Sequence, residues 1–190
     1  ATGRWIAFWD SDDEICVDQF VKMITNAEKL NRNICIGEFE TFSADFNSNR
    51  HQFHIPKNQK FLQSSIAKRP GIWRFAFLNN GLIITKKFGD YLLGEDQLFL
   101  IENDIFKFNI YLHRRLVYKY KINQLNQITN SFKSIKDLSQ VLGKLKNDIE
   151  ALSSSGHIYI VHSVLRILVT IIKNAERFSD IIEPTKYASC

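Results

Sequence analysis

LNQITNSFKSIKDLSQVLGKLKNDIEAL, residues 125–152, carries its apolar side chains at Leu125, Ile128, Phe132, Ile135, Leu138, Leu142, Leu145, Ile149 and Leu152. Steps of three and four place them along one side of a helix. The spacing is close to a heptad seam with one shortened step. Ser-Ser-Ser-Gly at 153–156 breaks the pattern, and 157–182 then reads as a second helix, apolar almost all round and stopped by Pro184. Such a pair must bury its faces against the rest of the chain or against a partner. The division predicted is therefore a core domain over 1–122 and a C-terminal helical pair over 123–190. A protein partner, or self-association, is expected at Leu125, Ile128, Phe132, Ile135, Leu138, Leu142 and Leu145.

Working back toward the N-terminus, the pattern changes to strands. RWIAFW (4–9) is a short apolar run, and Ser11 and Glu14 after it have capping-box spacing. Val17, Phe20, Val21, Ile24 and Ala27 then share a helix face, and ICIGEFETF (34–42) reads as a strand with Gly37 at a bulge. Residues 43–71 are polar and irregular, with one short helix around Phe61–Ile66. Ile72–Leu78 and Leu82–Phe88 flank Asn79-Asn80-Gly81, a strong hairpin signal because type I′ turns need positive φ. Gln97–Glu102 is a further strand candidate. Ile105–Ile122 alternates apolar and polar, with a turn expected near His113-Arg114-Arg115. The fold class predicted is α+β: a mixed, mainly antiparallel sheet with a β-α-β opening, followed by the helical pair.

Composition bounds the function. The chain has 190 residues, 45% hydrophobic and 24% charged, which is globular rather than disordered. A net charge of +5 is compatible with a polyanionic partner. Cys16, Cys35 and Cys190 form neither a disulfide framework nor a metal cluster, which points to a reducing, intracellular compartment. The run Ile158–Ile172 is interrupted by His162 and Arg166 and is short of the roughly 20 apolar residues a membrane span needs. No signal-peptide pattern opens the chain, which starts Ala-Thr-Gly and is expected to be processed or cut from something longer.

Several constellations bear on chemistry. Asp10, Asp12, Asp13 and Glu14 follow a strand and open a helix. Acids there offset the helix dipole, and carboxylates at a strand end also suit Mg²⁺, so a Mg-dependent enzyme is one alternative. His51 and His54 supply two of the four ligands a structural zinc wants. Asp45, His51 and Ser64 or Ser65 lack a nucleophile elbow, and phosphate-binding glycine motifs are missing. No catalytic residue, metal or cofactor is assigned.

The basic residues give the leading functional expectation. Arg50, Lys57, Lys60, Lys68 and Arg69 lie in the irregular stretch, Arg74 follows, and Arg114, Arg115, Lys119 and Lys121 belong to the alternating ribbon. Converging, they would contact phosphates while Trp73 or a tyrosine stacked on a base. KRPGIWRFAFL (68–78) with LIITKK (82–87) resembles the early strands of pleckstrin-homology domains. That resemblance implies phosphoinositide contacts at Lys68, Arg69 and Arg74, but it stops there, since the C-terminal helix has no tryptophan and the chain is not assigned to that family. The function expected is a non-catalytic recognition or scaffold domain of an intracellular assembly, with a nucleic-acid-binding or phosphoinositide-binding module (nucleic acid or anionic lipid) as alternative.

Overall fold

A computed structural model describes residues 2–43, 51–58, 61–69, 71–87, 94–122, 140–145 and 154–182. At its centre is β3 (Ile34–Ser43), whose Ile34 and Ile36 point to one face of the sheet and Cys35 and Phe39 to the other. All four are buried, so neither face of this strand is wet. Helices cover both sides. On one side α1 (Val17–Lys29) lays Phe20, Met23 and Ala27 against Cys35, Phe39 and Ala76. On the other, α2 (Leu62–Lys68), α3 (Glu95–Glu102) and α4 (Ser154–Ile182) enclose Ile34, Ile36, Phe75 and Phe77.

The strand order is β1-β5-β3-β6-β2, with β4 also paired to β3. Here β1 is Trp5–Ile6, β2 is Glu14–Ile15, β4 is His51–Phe53, β5 is Phe75–Leu78 and β6 is Ile110–Ile122. The long pairing is the parallel one between β3 and β6, from Ile34 opposite Ile110 to Ser43 opposite Ile122. Parallel neighbours need a crossover, and 44–109 supplies it. The expected α+β arrangement, with a mainly antiparallel sheet and a wet face, is therefore corrected to a curled mixed sheet covered by helices on both sides. The physical reason is that β3 at Ile34-Cys35-Ile36 and β5 at Phe75-Ala76-Phe77 are apolar at consecutive positions, not alternate ones.

Individual elements depart from expectation for local reasons. Glu14 enters β2 opposite Lys119 and pairs with its ammonium at 3.0 Å, so α1 begins at Val17 behind Cys16 and no capping box forms. Val17 and Val21 stay exposed while Met23 is buried. Ile72–Arg74 is a 3-10 turn rather than a strand. Gly81 takes positive φ, but residues 82–87 do not return as a strand, so neither the hairpin nor the successive strands of a pleckstrin-homology domain are present. Gln97–Glu102 is helical within α3. β6 runs straight through the expected turn, because Arg114 and Arg115 bulge out between His113 opposite Gly37 and Leu116 opposite Glu38. The irregularity thus falls beside Gly37, but its extra residues belong to β6 and not to β3 as expected; a Cβ at Gly37 would stand 2.3 Å from Val117.

Of the expected helical pair, residues 140–145 are helical and α4 is long, while 123–139 and 146–153 fall outside the described residues. α4 is amphipathic rather than buried all round. Tyr159, Ile160 and Ile167 enter the core, with the Tyr159 ring 4.5 Å from Phe106. Ile158, Val161, Leu165, Leu168, Val169 and Ile172 face outward.

Candidate active site

The turn after β1 is built around Asp13. Its Oδ2 accepts from the Tyr118 hydroxyl at 2.8 Å and its Oδ1 from the Lys121 backbone N–H at 2.7 Å. The same Tyr118 oxygen accepts from the Asp10 backbone N–H at 3.2 Å. Asp13 is thus a clamp that fixes the turn to β6 and holds Asp10 at the mouth of a cavity. The acids at 10–13 consequently do not cap a helix. Burial, then the charge of Asp12, raises the Asp10 carboxyl above its ordinary range. Asp13 is also raised by burial, against the pull of its two hydrogen bonds.

The cavity measures about 740 Å³, within the range of small-molecule sites. Aromatic rings form much of its wall. Phe39 stacks on Phe53 at 4.4 Å and meets Trp73 edge-on at 4.7 Å. Trp73 stacks on Tyr118 at 4.5 Å and on Tyr120 at 5.4 Å. The first turn of α3 lines the same cavity as Asp10, and there Gly94 at φ 87° turns the chain into Glu95 and Asp96. Asp96 is set deep among protein atoms but keeps part of its surface on the cavity. The Ile72 backbone N–H donates to its Oδ2 at 3.1 Å. Burial, reinforced by the Asp10 charge and opposed by that hydrogen bond and by Arg166, pushes its pKa up to about 6. Asp10 and Asp96 therefore feel one another across a single site.

The expected phosphate-contacting residues do not converge on one surface. Arg50 and Lys60 fall outside the described residues. Lys57, Arg114 and Arg115 are exposed, with Arg114 near the Pro56 and Lys57 carbonyls, while Lys119 is committed to Glu14. Lys121 is half-buried beside the Asp13 clamp. Lys68, Arg69 and Arg74 do come together, but Arg74 is buried rather than displayed. Trp73 is 8% exposed and already stacked on protein rings, so it offers no free face to a base. Of the expected interface residues, Leu145 is in the intrachain core and Leu142 packs against it, while Leu125, Ile128, Phe132, Ile135 and Leu138 lie outside the described residues. His54 binds Glu38 at 2.9 Å, and no group of three or more metal-ligating side chains occurs among the described residues. Sequence reasoning missed Asp96 and Arg166. Gly94-Glu95-Asp96 ahead of an apolar run was a helix-start signal that could have found Asp96.

Residues 1–89 match glycosyl transferase family 2, just under half of the chain. No curated protein matches the chain. Among solved structures, S. aureus TarS 1–349 in complex with UDP-GlcNAc aligns with a TM-score of 0.60 at 13% identity, covering 91% of this chain and 50% of that one. The crystal structure of S. aureus TarS 1–349 aligns with a TM-score of 0.53 at 13% identity, covering 100% of this chain and 52% of that one. The chain spans about half the length of these structures. No described helix is long and apolar enough to cross a membrane. The comparisons overturn the non-catalytic scaffold reading and its nucleic-acid-binding alternative, since residues 1–89 match a sugar-transferase family model, and the expected basic residues are dispersed. The fold is a curled mixed sheet with helices, matching the Rossmann-like fold of glycosyl transferase family 2.

Proposed function

We propose that the cavity between Asp10 and Asp96 is the transfer centre of a glycosyltransferase that takes its sugar from a nucleoside-diphosphate donor. The observation that carries this reading is Asp96, a carboxylate at the foot of an aromatic-walled cavity with its pKa pushed up to about 6. A base that titrates near the working pH is suited to accept a proton in the transition state. In the reaction, the acceptor hydroxyl gives its proton to Asp96 as its oxygen bonds to the anomeric carbon. The bond from that carbon to the diphosphate oxygen breaks, and its electron pair leaves with the nucleoside diphosphate. A single displacement of this kind inverts the anomeric centre.

Asp10, with Asp12 beside it, forms the opposite pole. Carboxylates alone would repel a diphosphate, and after burial the Asp12 charge adds to the rise of the Asp10 pKa. Mg²⁺ is commonly held by one or two carboxylates together with substrate phosphates, and Asp10 and Asp12 fit that role as hard oxygen donors. When bound, the ion would offset charge on the leaving diphosphate. Asp13 is less suited, because both its oxygens already hold the turn.

The test is release of UDP from UDP-GlcNAc, the ligand in complex with TarS, in the presence of Mg²⁺ or Mn²⁺. Wild-type protein should bind UDP-GlcNAc and release UDP. Asp96→Asn should bind but turn over at least about 100-fold more slowly, the usual scale for losing a general base. Failure to bind UDP-GlcNAc, or equal turnover by Asp96→Asn, would defeat the reading.

A further inference from the structure

The C-terminal half of β3 carries a polar row that the transfer chemistry does not use. Thr41 pairs with His51 of β4 on one side and with Tyr120 of β6 on the other, so side chains from three adjacent strands stand in line on one face of the sheet. All three line the cavity that holds Asp10 and Asp96. Two residues earlier in β3, Phe39 stands between Phe53 and Tyr118 in the same way, and that row is aromatic. Packing closes the aromatic row: Phe39 stacks on Phe53, and Trp73 stacks on Tyr118.

Hydrogen bonds do not close the polar row. Thr41 is 9% exposed, and its Oγ1 has no partner. Trp73 holds the Tyr120 ring at 5.4 Å, but the Tyr120 hydroxyl makes no hydrogen bond to a described residue. Gln97 follows Asp96 in the first turn of α3 and lines the same cavity. It is 4% exposed, and its Oε1 also lacks a partner. Buried polar atoms are nearly always paired. Two unpaired ones lining one cavity point to a ligand that supplies the missing partners.

The chemistry of the row indicates which ligand. Burial, then the charges of Asp13, Asp10, Asp12 and Asp96, hold the Tyr120 pKa above its ordinary value, so its hydroxyl stays a donor. The hydroxyls of Thr41 and Tyr120 each donate and accept, and so does a neutral imidazole at His51, while Gln97 Oε1 accepts. Neighbouring strands lie about 4.8 Å apart, so a hydroxyl seated between two such side chains accepts from one and donates to the other. Neutral hydroxyls on successive carbons match this set.

We propose that Tyr120, Thr41 and Gln97, with His51 at the outer end of the row, bind the acceptor as a polyol and read hydroxyls next to the one that reacts. This rests on the transferase reading of the same cavity, in which the acceptor hydroxyl must reach Asp96, the neighbour of Gln97. A sugar ring and an open-chain sugar alcohol share this chemistry, and the experiment separates them.

UDP release from UDP-GlcNAc is measured with methyl β-D-glucopyranoside, D-glucitol or 1-propanol added. One of the two polyols should stimulate turnover where propanol does not, which identifies a ring or an open chain. Thr41→Val and Tyr120→Phe each remove one hydroxyl and keep the shape around it. In both, KM for the stimulating polyol should rise about tenfold while KM for UDP-GlcNAc stays within about twofold. Melting temperatures should not fall, since the fold uses neither hydroxyl. No stimulation by either polyol, or equal stimulation by propanol, would overturn the proposal. An unchanged polyol KM in both variants would overturn it too, as would an equal rise in both KM values, which would put the row on the donor. Each of these outcomes leaves the transferase reading intact, because that reading is decided by UDP-GlcNAc binding and Asp96→Asn.

Discussion

Asp96 shows how one residue type acquires a task from its surroundings. It is one of 20 acids in the chain, yet burial at the start of α3 and the nearby Asp10 charge move its pKa to about 6. The pH dependence follows in sign. As a base it works only when ionised, so turnover should rise through about pH 6 and reach a plateau above it. Stability runs the other way. The folded protein keeps Asp96 protonated to higher pH than the unfolded chain does, so its contribution is complete below about pH 4 and declines as pH rises through 6. The full decline is about 3 kcal/mol on this group. Comparing denaturant midpoints of wild type and Asp96→Asn at pH 4 and pH 7 checks it: the wild type should lose more stability across that interval. An identical change in both proteins would remove Asp96 from the account. The acids at 10–13 were legible in the sequence as a cluster with two readings, cap or cation site. The capping reading failed because Glu14 found Lys119 across a strand pair instead of a backbone N–H.

At the scale of elements, α3 and the segment before it were the hardest to read. QLFLI (97–101) is buried at every position, so it has no amphipathic period, and length alone does not separate such a run from a strand. Its C-cap, Asn103, explains why 82–87 is not a strand either. The Asn103 Oδ1 accepts from the Thr85 and Lys86 backbone N–H groups at 2.7 and 2.8 Å, and its Nδ2 donates to the Lys86 and Phe99 carbonyls at 3.2 and 2.9 Å. One side chain thus satisfies backbone groups that a hairpin partner would have taken. Asn103→Ala should cost about 2 kcal/mol, because one buried and several part-buried backbone groups lose their partner together. A loss under 1 kcal/mol in chemical denaturation would contradict that assignment. Gly37 is the opposite case: the sequence marks it as a place of irregular pairing, and the extra residues of that irregularity stand opposite it on β6. Gly37→Ala should destabilise by about 1–3 kcal/mol through overpacking against Val117. Thermal melting of that variant should show the drop, and an unchanged midpoint would mean that Val117 yields without cost.

For the molecule as a whole, the sheet is sandwiched, with α1 on one face and α2, α3 and α4 on the other. α4 belongs to this core through Tyr159, Ile160 and Ile167, while an apolar stripe including Val161 and Leu165 remains outside it. The two faces predict different outcomes for the same chemistry. Ile167→Glu should unfold the protein, since it places an unpaired charge in the core. Leu165→Glu should leave the melting temperature within a few degrees of wild type, as exposed substitutions usually do. If Leu165→Glu unfolds the chain as well, α4 is buried on both sides.

By itself the sequence determined the strand at 34–42, the helix ahead of it, the irregular pairing beside Gly37 and a short helix in the irregular stretch. These are local properties, set by side-chain period, turn chemistry and the steric demands of glycine. Tertiary structure decided the rest. Whether a strand has one wet face or none depends on what packs on it, and β3 reveals its second cover only once α1 and α4 are both in place. The candidate site likewise joins residues from the turn after β1, α2, the 3-10 turn, α3 and α4. The pKa of Asp96 and the burial of Arg74 arise from distances across the fold, which no spacing along the chain encodes.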